Sequence, residues 1–297
     1  MEEFHKGDVV GRKSYGVDIY FKIIDFFEYS NGKKFARLKG VYTRLCASAP
    51  MEDLVRIDPG AQMSRLRDVT LKSNEQMGRI FARRQREREL FWGRAVHSDK
   101  EPPKKESKVE GFDIPGTVLH IDGDGDYLDL CMTTYKQLSI PADGYNIPEE
   151  KQPEVVEDLL KKHAPDMLVI TGHDGFIKGR ENFKDIDNYY SSKYFMEAVK
   201  VARNYEKSRD DLVIFAGACQ SHYESLLKAG ANFASSPQRV MIHAYDPVFV
   251  MEKIAYTSIY DPISIKDIIA GTITGFDGIG GMESRGKFRL GIPVSPY

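Results

Sequence analysis

The second half of the chain carries four short apolar runs, "TVLHID", "DMLVIT", "DDLVIFA" and "RVMIHA", ending at Asp122, Thr171, Ala216 and Ala244. Each is nearly continuous and rich in β-branched residues, the signature of a strand buried on both faces. Between them, apolar residues fall at helical spacing. A helix is expected over roughly 127–137, another in "EEKQPEVVEDLLKKHAP" with Val155, Leu159 and Leu160 on one side, and a third carrying Phe195, Val199 and Ala202. "SHYESLLKAG" reads as a short helix closed by Gly230, a residue suited to a left-handed cap. Strands alternating with helices imply a mostly parallel sheet covered by helices on both faces.

The first 60 residues follow a different period. Ile19, Phe21 and Ile23 alternate, Asn31-Gly32 follows, and a second apolar run begins at Phe35. Asn-Gly between two such runs is a hairpin signal, because both residues tolerate positive φ. A small SH3-like β-barrel is the expectation for 1–60. Residues 71–96 then read as a helix, capped at Ser73 or Asn74, with Met77, Phe81, Leu90 and Phe91 as an incomplete apolar face. Arg79, Arg83, Arg84, Arg86, Arg88 and Arg94 crowd this helix beside Glu87 and Glu89. A solvated face is the reading preferred to a nucleic-acid patch. Residues 98–111 have the charge and prolines of a linker. The division expected is thus a β domain (1–60), an Arg-rich helix and linker (61–111), and an α/β domain (112–297).

Composition narrows the function classes. A net charge of −2, with 41% hydrophobic and 29% charged residues, describes an ordinary globular chain with no global attraction to nucleic acid. No run approaches a membrane span or a secretory signal. Cys46, Cys131 and Cys219 are too few and too scattered for a disulfide framework or a zinc site, which points to a reducing, cytoplasmic setting. No cofactor and no metal are expected.

Chemistry concentrates where strands end. His173 follows "DMLVIT" and Cys219 follows "DDLVIFA", 46 positions later. Active sites of open parallel sheets lie beyond the carboxyl ends of the strands, so neighbouring strands would bring imidazole and thiol together as base and nucleophile. Ala216, Gly217 and Ala218 leave room for a substrate backbone, and a helix beginning near Ser221 would aim N–H groups at developing charge. Cys46 and Cys131 read as structural, His120 and His243 as packed in strands, and His222 as a weaker candidate base. "GFDGIGGMESRG" reads as a mobile loop near the site.

"GHDG", "AGACQSHYE", the β region in front and the overall length resemble the YabG family of sporulation peptidases. That family is similar to the wider caspase, gingipain and clostripain group. The resemblance implies a caspase-like sheet, His173 as base and Cys219 as nucleophile. It also implies an oxyanion hole built from the Cys219 N–H and the N–H after the histidine. Asp174 stands where that group has glycine and Gly175 comes next, so either N–H is a candidate donor. Implied partners are protein substrates of the spore coat and of germination, and the implied setting is the mother-cell cytoplasm, with association to the coat as a further option. Related types cleave after basic residues through a pocket acid, for which Asp124, then Asp246, and Asp122 are the candidates. Self-cleavage is expected within 79–111.

Two other readings compete. Asp122, Asp124 and Asp126 in "VLHIDGDGDY" resemble the phosphoaspartate motif of haloacid-dehalogenase phosphatases, but Asp126 replaces the expected Thr or Val. As a calcium loop the segment lacks its turn glycine. A non-catalytic coat-binding protein, with the β region doing the work, is the other alternative.

Overall fold

The computed structural model describes residues 3–28, 32–97 (backbone alone over 88–97) and 112–291. The hairpin turn residue Asn31 and the expected linker lie outside these. In chain order the elements are β1 (Val9–Arg12), β2 (Phe21–Glu28), β3 (Lys34–Gly40), β4 (Cys46–Pro50), β5 (Leu54–Arg56) and the long α1 (Pro59–His97). Then come β6 (Phe112–Ile114), β7 (Val118–Asp122), α2 (Gly125–Gln137), β8 (Ala142–Asn146), α3 (Gln152–His163), β9 (Met167–Thr171) and α4 (Ser192–Tyr205). The remainder is β10 (Val213–Ala216), α5 (Tyr223–Ala229), β11 (Phe233–Ser235), α6 (Asp246–Ala255), β12 (Pro262–Ile263), α7 (Ile265–Ile269), β13 (Ile279–Gly281), β14 (Ser284–Arg285) and β15 (Arg289–Gly291).

The N-terminal strands form one antiparallel sheet in the order β4-β3-β2-β1-β5. The sheet is open: among the described residues its edge strands β4 and β5 do not pair, so the structure does not show a closed barrel. β2 and β3 pair from Phe21↔Gly40 to Glu28↔Lys34, with a register shift between Ile23 and Asp25.

The second sheet has the order β13-β11-β10-β9-β7-β8. Five strands run parallel and β13 is antiparallel to β11. Strand alternation sorts its side chains onto two faces. Val118, Val169, Val213 and Phe215 join α2 and α6 residues such as Tyr135 and Phe249 in one cluster, which continues into the N-terminal core of Val10, Phe21 and Leu38. Leu119, Ile121, Leu168, Ile170 and Ile214 meet Val156 and Leu160 of α3 and Phe195 and Val199 of α4 on the other. Each such buried aliphatic or aromatic side chain contributes about 1.5–3 kcal/mol, so the sheet edge is a rigid base.

Several expectations change. α1 begins at Pro59, with Asp58 Oδ2 accepting from the N–H groups of Gly60 and Ala61; Ser73 is buried within it and caps nothing. Its core face is Ser73, Gln76 and Ile80, with Met77 partly buried, while Phe81 is exposed. Arg83 and Arg84 turn onto buried Glu252 of α6, and Arg84 lies 3.3 Å over the Tyr256 ring, so part of the arginine face is a docking surface rather than a solvated one. "RVMIHA" forms no strand. The strand that pairs with β10 on the side away from β9 is Phe233–Ser235, and the later segment is a loop. The glycine-rich stretch supplies β13 to the sheet edge.

Candidate active site

Register aligns the strand ends. Asp122, the last residue of β7, sits opposite Thr171 of β9, and Ala216 of β10 sits opposite Ile170. β9 is therefore flanked by β7 and β10. His173 emerges from the middle strand, Cys219 from one neighbour, and Asp122 from the other. Both His173 and Cys219 are fully buried.

The Cys219 turn is built tightly. Gly217 has φ +106°, and a Cβ there would stand 2.5 Å from Ser235 Oγ, so only glycine fits. Gln220 takes φ +56° and is held by its N–H, which donates to Val240 O at 3.1 Å and Ser236 Oγ at 3.0 Å. The thiol accepts from the Ile242 N–H at 3.3 Å. The fall of the chain after His173 is fixed by the Asp174 carboxylate. It accepts from the hydroxyls of Ser221 (2.8 Å) and Ser192 (2.5 Å) and from the N–H groups of Ser191 and Gly175 (2.8 Å each). One buried carboxylate thus ties the histidine turn, the cysteine turn and the start of α4 together. Burial raises its pKa despite these bonds.

What fills the site is a loop of the N-terminal sheet. The Arg44 carbonyl oxygen accepts from the Cys219 N–H at 3.1 Å and the Asp174 N–H at 3.2 Å. The flanking residues pair with the same walls: Thr43 bridges antiparallel to His243, Leu45 bridges Asp174 in parallel, and the Cys46 N–H donates to Asp174 O at 2.7 Å. The Arg44 side chain is completely buried and reaches Asp122, Nη1 to Oδ2, at 2.5 Å. Nη2 lies 3.5 Å from both Cys131 Sγ and Ala244 O, and the guanidinium carbon is 4.7 Å from the Tyr127 ring centroid. Asp122 also accepts from Thr171 Oγ1 at 2.9 Å and the Asp124 N–H at 2.9 Å. Burial alone would raise the Asp122 pKa. The Arg44 charge, helped by His120, outweighs it and holds the carboxyl well below the usual range.

The three aspartates of "DGDGD" therefore diverge. Asp122 faces Arg44. Asp124 caps α2, accepting from the N–H groups of Asp126 and Tyr127, and its Oδ2 lies 3.7 Å from His173 Nδ1. Asp126 is exposed. Among the described residues no group of three His, Cys, Asp or Glu side chains converges on a metal position. Asp246 lies apart from the guanidinium: its carboxylate is taken by the hydroxyl and N–H of Thr274 and the N–H groups of Ile273 and His243. Gly175 donates its N–H to the Asp174 carboxylate, so of the two candidate donors only the Asp174 N–H meets the Arg44 carbonyl.

His173 Nε2 is 3.4 Å from Gly40 O, and Nδ1 has no hydrogen-bond partner. A carbonyl only accepts, so this contact puts the proton on Nε2 and leaves the Nδ1 lone pair free. Asp124 is too far for a hydrogen bond but near enough to favour an imidazolium as it forms. Burial, with Lys39 and Arg44 nearby, pushes the His173 pKa down to about 3, and burial pushes the Cys219 thiol up to about 12. Both groups are neutral with the loop in place.

The other candidates have other tasks. His222 caps α5, its Nδ1 accepting from the Ser225 N–H, and its Nε2 meets Lys184 O at 3.0 Å. α5 thus spends its first donors locally and does not face the Arg44 carbonyl. His120 is packed within β7, its Nε2 2.9 Å from Thr171 Oγ1. Cys131 lines the guanidinium pocket. Sequence reasoning missed Arg44, Tyr127, Ser192, Ser221 and Glu149, whose Oε1 accepts from the His173 N–H at 2.7 Å. Ser221 and Tyr127 stand inside the quoted motifs "AGACQSHYE" and "VLHIDGDGDY", but nothing in the spacing assigns them these contacts; Arg44, Ser192 and Glu149 are brought in by the fold alone.

A family model described as YabG peptidase U57 matches residues 5–293. The sporulation-specific protease YabG of Bacillus subtilis (strain 168) is 41% identical over 293 residues, which is 98% of this chain and 98% of that protein. No solved structure matches.

Proposed function

Because this chain belongs to the YabG peptidase U57 family and is a sporulation-specific protease, we propose that it is a cysteine endopeptidase that cleaves after arginine through Cys219 and His173. The observation that carries this reading is Arg44: a peptide carbonyl receives the N–H groups of Cys219 and Asp174 while its own guanidinium meets Asp122. A substrate arginine bound the same way would have its carbonyl polarised beside the thiol. Cys219 Sγ attacks that carbonyl, and its proton passes to the free Nδ1 of His173. The two N–H groups hold the oxyanion, and His173 then protonates the leaving amine. Water, deprotonated by the same imidazole, releases the product acid. Each anion-hole donor is worth about 10²–10³ in rate.

Asp122 is the specificity acid in this reading. Asp124, the leading candidate from sequence, supports His173 in this reading instead, its Oδ2 lying 3.7 Å from Nδ1. In this reading 112–297 is a caspase-like peptidase domain, preceded by the N-terminal β unit of 1–60 and the helix and linker of 61–111; the parallel order of β7, β9 and β10 at the site supports the first part. Coat and germination proteins in the mother cell are the substrates this reading expects, with self-cleavage in 79–111 a further one. Among the described residues no helix is long and apolar enough to cross a membrane.

The test is cleavage of a coat-protein extract by wild type, Cys219→Ala and His173→Ala. Each variant should lose at least about 10³-fold in turnover, since the two side chains act as a unit. Near-wild-type turnover in either would remove the mechanism.

A further inference from the structure

The residues around Arg44 are held as a substrate would be held, yet they belong to the same chain. Leu45 N–H donates to Thr43 O at 2.8 Å and Gly40 N–H to Leu45 O at 2.9 Å, which closes a tight loop with Arg44 at its tip. The loop has further anchors on either side of Arg44. Tyr127 Oη donates to Gly40 O at 3.2 Å, and Ser48 Oγ and Tyr190 Oη are 2.9 Å apart. A Cβ on Gly175 would stand 2.5 Å from Cys46 O; this glycine lets β4 close on the site.

Resting on the peptidase reading above, we propose that Thr43–Cys46 is a tethered pseudo-substrate, which keeps the peptidase site filled by the chain's own Arg44 until the N-terminal sheet releases it. Three things on the site are spent at once. The carbonyl takes both anion-hole donors, the guanidinium neutralises Asp122, and Gly40 O holds the imidazole. An external arginine can use none of them while the loop is seated. Being tethered, the loop competes at an effective concentration of order mM. The apparent affinity for substrate is therefore reduced by the fraction of molecules that are open.

Cutting the loop does not empty the site. Attack by Cys219 Sγ on the Arg44 carbonyl forms a thioester and breaks the Arg44–Leu45 bond, the Leu45 amine leaving with the proton carried by His173. Water would then yield the Arg44 carboxylate and regenerate the thiol. On either side of that bond β3 and β4 stay paired, from Lys39↔Cys46 to Phe35↔Pro50. The new amine remains beside the thioester, and the new ends remain in the groove. Release needs the sheet to move, not just the bond to break.

The test is alkylation of Cys219 by a peptidyl-argininyl chloromethyl ketone, read by intact mass on the full chain, wild type against Arg44→Ala. The variant should react about 10- to 100-fold faster. The wild-type adduct, once formed, should show amide exchange at Leu45 and Cys46 accelerated at least about tenfold. Equal alkylation rates, or an adduct in which Leu45 and Cys46 keep their protection, would overturn the proposal. If Arg44→Ala does not fold, the wild-type exchange arm decides alone. Reagent that labels neither protein, both being folded, would instead sink the peptidase reading and this inference with it.

Discussion

Asp122 and Asp124 stand two positions apart and serve different atoms. Asp122 is buried against the Arg44 guanidinium, while Asp124 caps α2 and lies 3.7 Å from His173 Nδ1. Asp124→Ala should therefore lower turnover about tenfold by weakening the imidazolium, cost about 1 kcal/mol through the lost cap, and leave the preference for arginine intact. Steady-state kinetics and a urea titration check both parts. Asp174 offers a second test. Its carboxylate satisfies four buried donors, and an unsatisfied buried donor costs about 1–3 kcal/mol. Asp174→Ala should lose at least about 3 kcal/mol, seen as a lowered denaturation midpoint, although the N–H at the site survives. His173 and Cys219 can be read from strand ends, because a parallel sheet gathers such residues on one edge, and both do lie just beyond the ends of the adjacent strands β9 and β10. Arg44 could not be read that way. Its partners come from β7, α2 and the loop after β11, and no spacing announces them.

α1 shows how an element's surroundings override its composition. Arg83 and Arg84 read as solvent-facing, yet both converge on Glu252, a carboxylate with no exposure. Truncating it as Glu252→Ala removes the anion the two arginines share, leaving Arg83 with Glu87 and Arg84 with Leu138 O and the Tyr256 ring. A loss of about 1–3 kcal/mol is expected, checked by thermal unfolding, and a change within about 0.5 kcal/mol would make the pair ornamental. Strands β7, β9 and β10 were legible because every residue in them is buried, and helices α2 to α5 because one face of each is buried and the other exposed. β8 was not, for "ADGYN" is a half-exposed edge strand without an apolar run. "RVMIHA" misled in the opposite direction. Its apolar residues line the site as a loop, with the Ile242 N–H on the thiol and His243 bridged to Thr43.

At the scale of the whole molecule, acid should loosen the fold through its buried histidines. Burial pushes His173 down to about 3 and His243 to about 4, and lowers His120 too. Unfolded, each takes a proton near about 6.5. Below that pH the unfolded chain binds more protons, so stability falls as pH falls. Asp246, raised to about 6 by burial, has the opposite sign, as do Asp174 and Glu149, which burial also raises: each is protonated folded before it is protonated unfolded. Setting His173 and His243 against Asp246 leaves about one proton at pH ~5, or ~1.4 kcal/mol per pH unit. The Arg44–Asp122 pair runs separately. Its lowered carboxyl pKa keeps its contribution intact above about 4, the unfolded value, and loses it only below. Urea midpoints at pH ~7 and ~5 check the sum; an unchanged or higher midpoint at the lower pH would contradict it.

An arginine carbonyl held at Cys219 while its guanidinium meets Asp122 is the feature on which the proposed specificity rests. The most direct measurement is therefore the residue before the cut, read from a peptide library with every side chain at that position, for wild type and Asp122→Ala. Wild type should cut after arginine, and the variant should lose about 10²–10³ in kcat/KM for arginine, the kinetic equivalent of an unpaired buried cation. A wild-type preference for acidic or apolar residues, or an arginine preference undiminished in Asp122→Ala, would contradict the account.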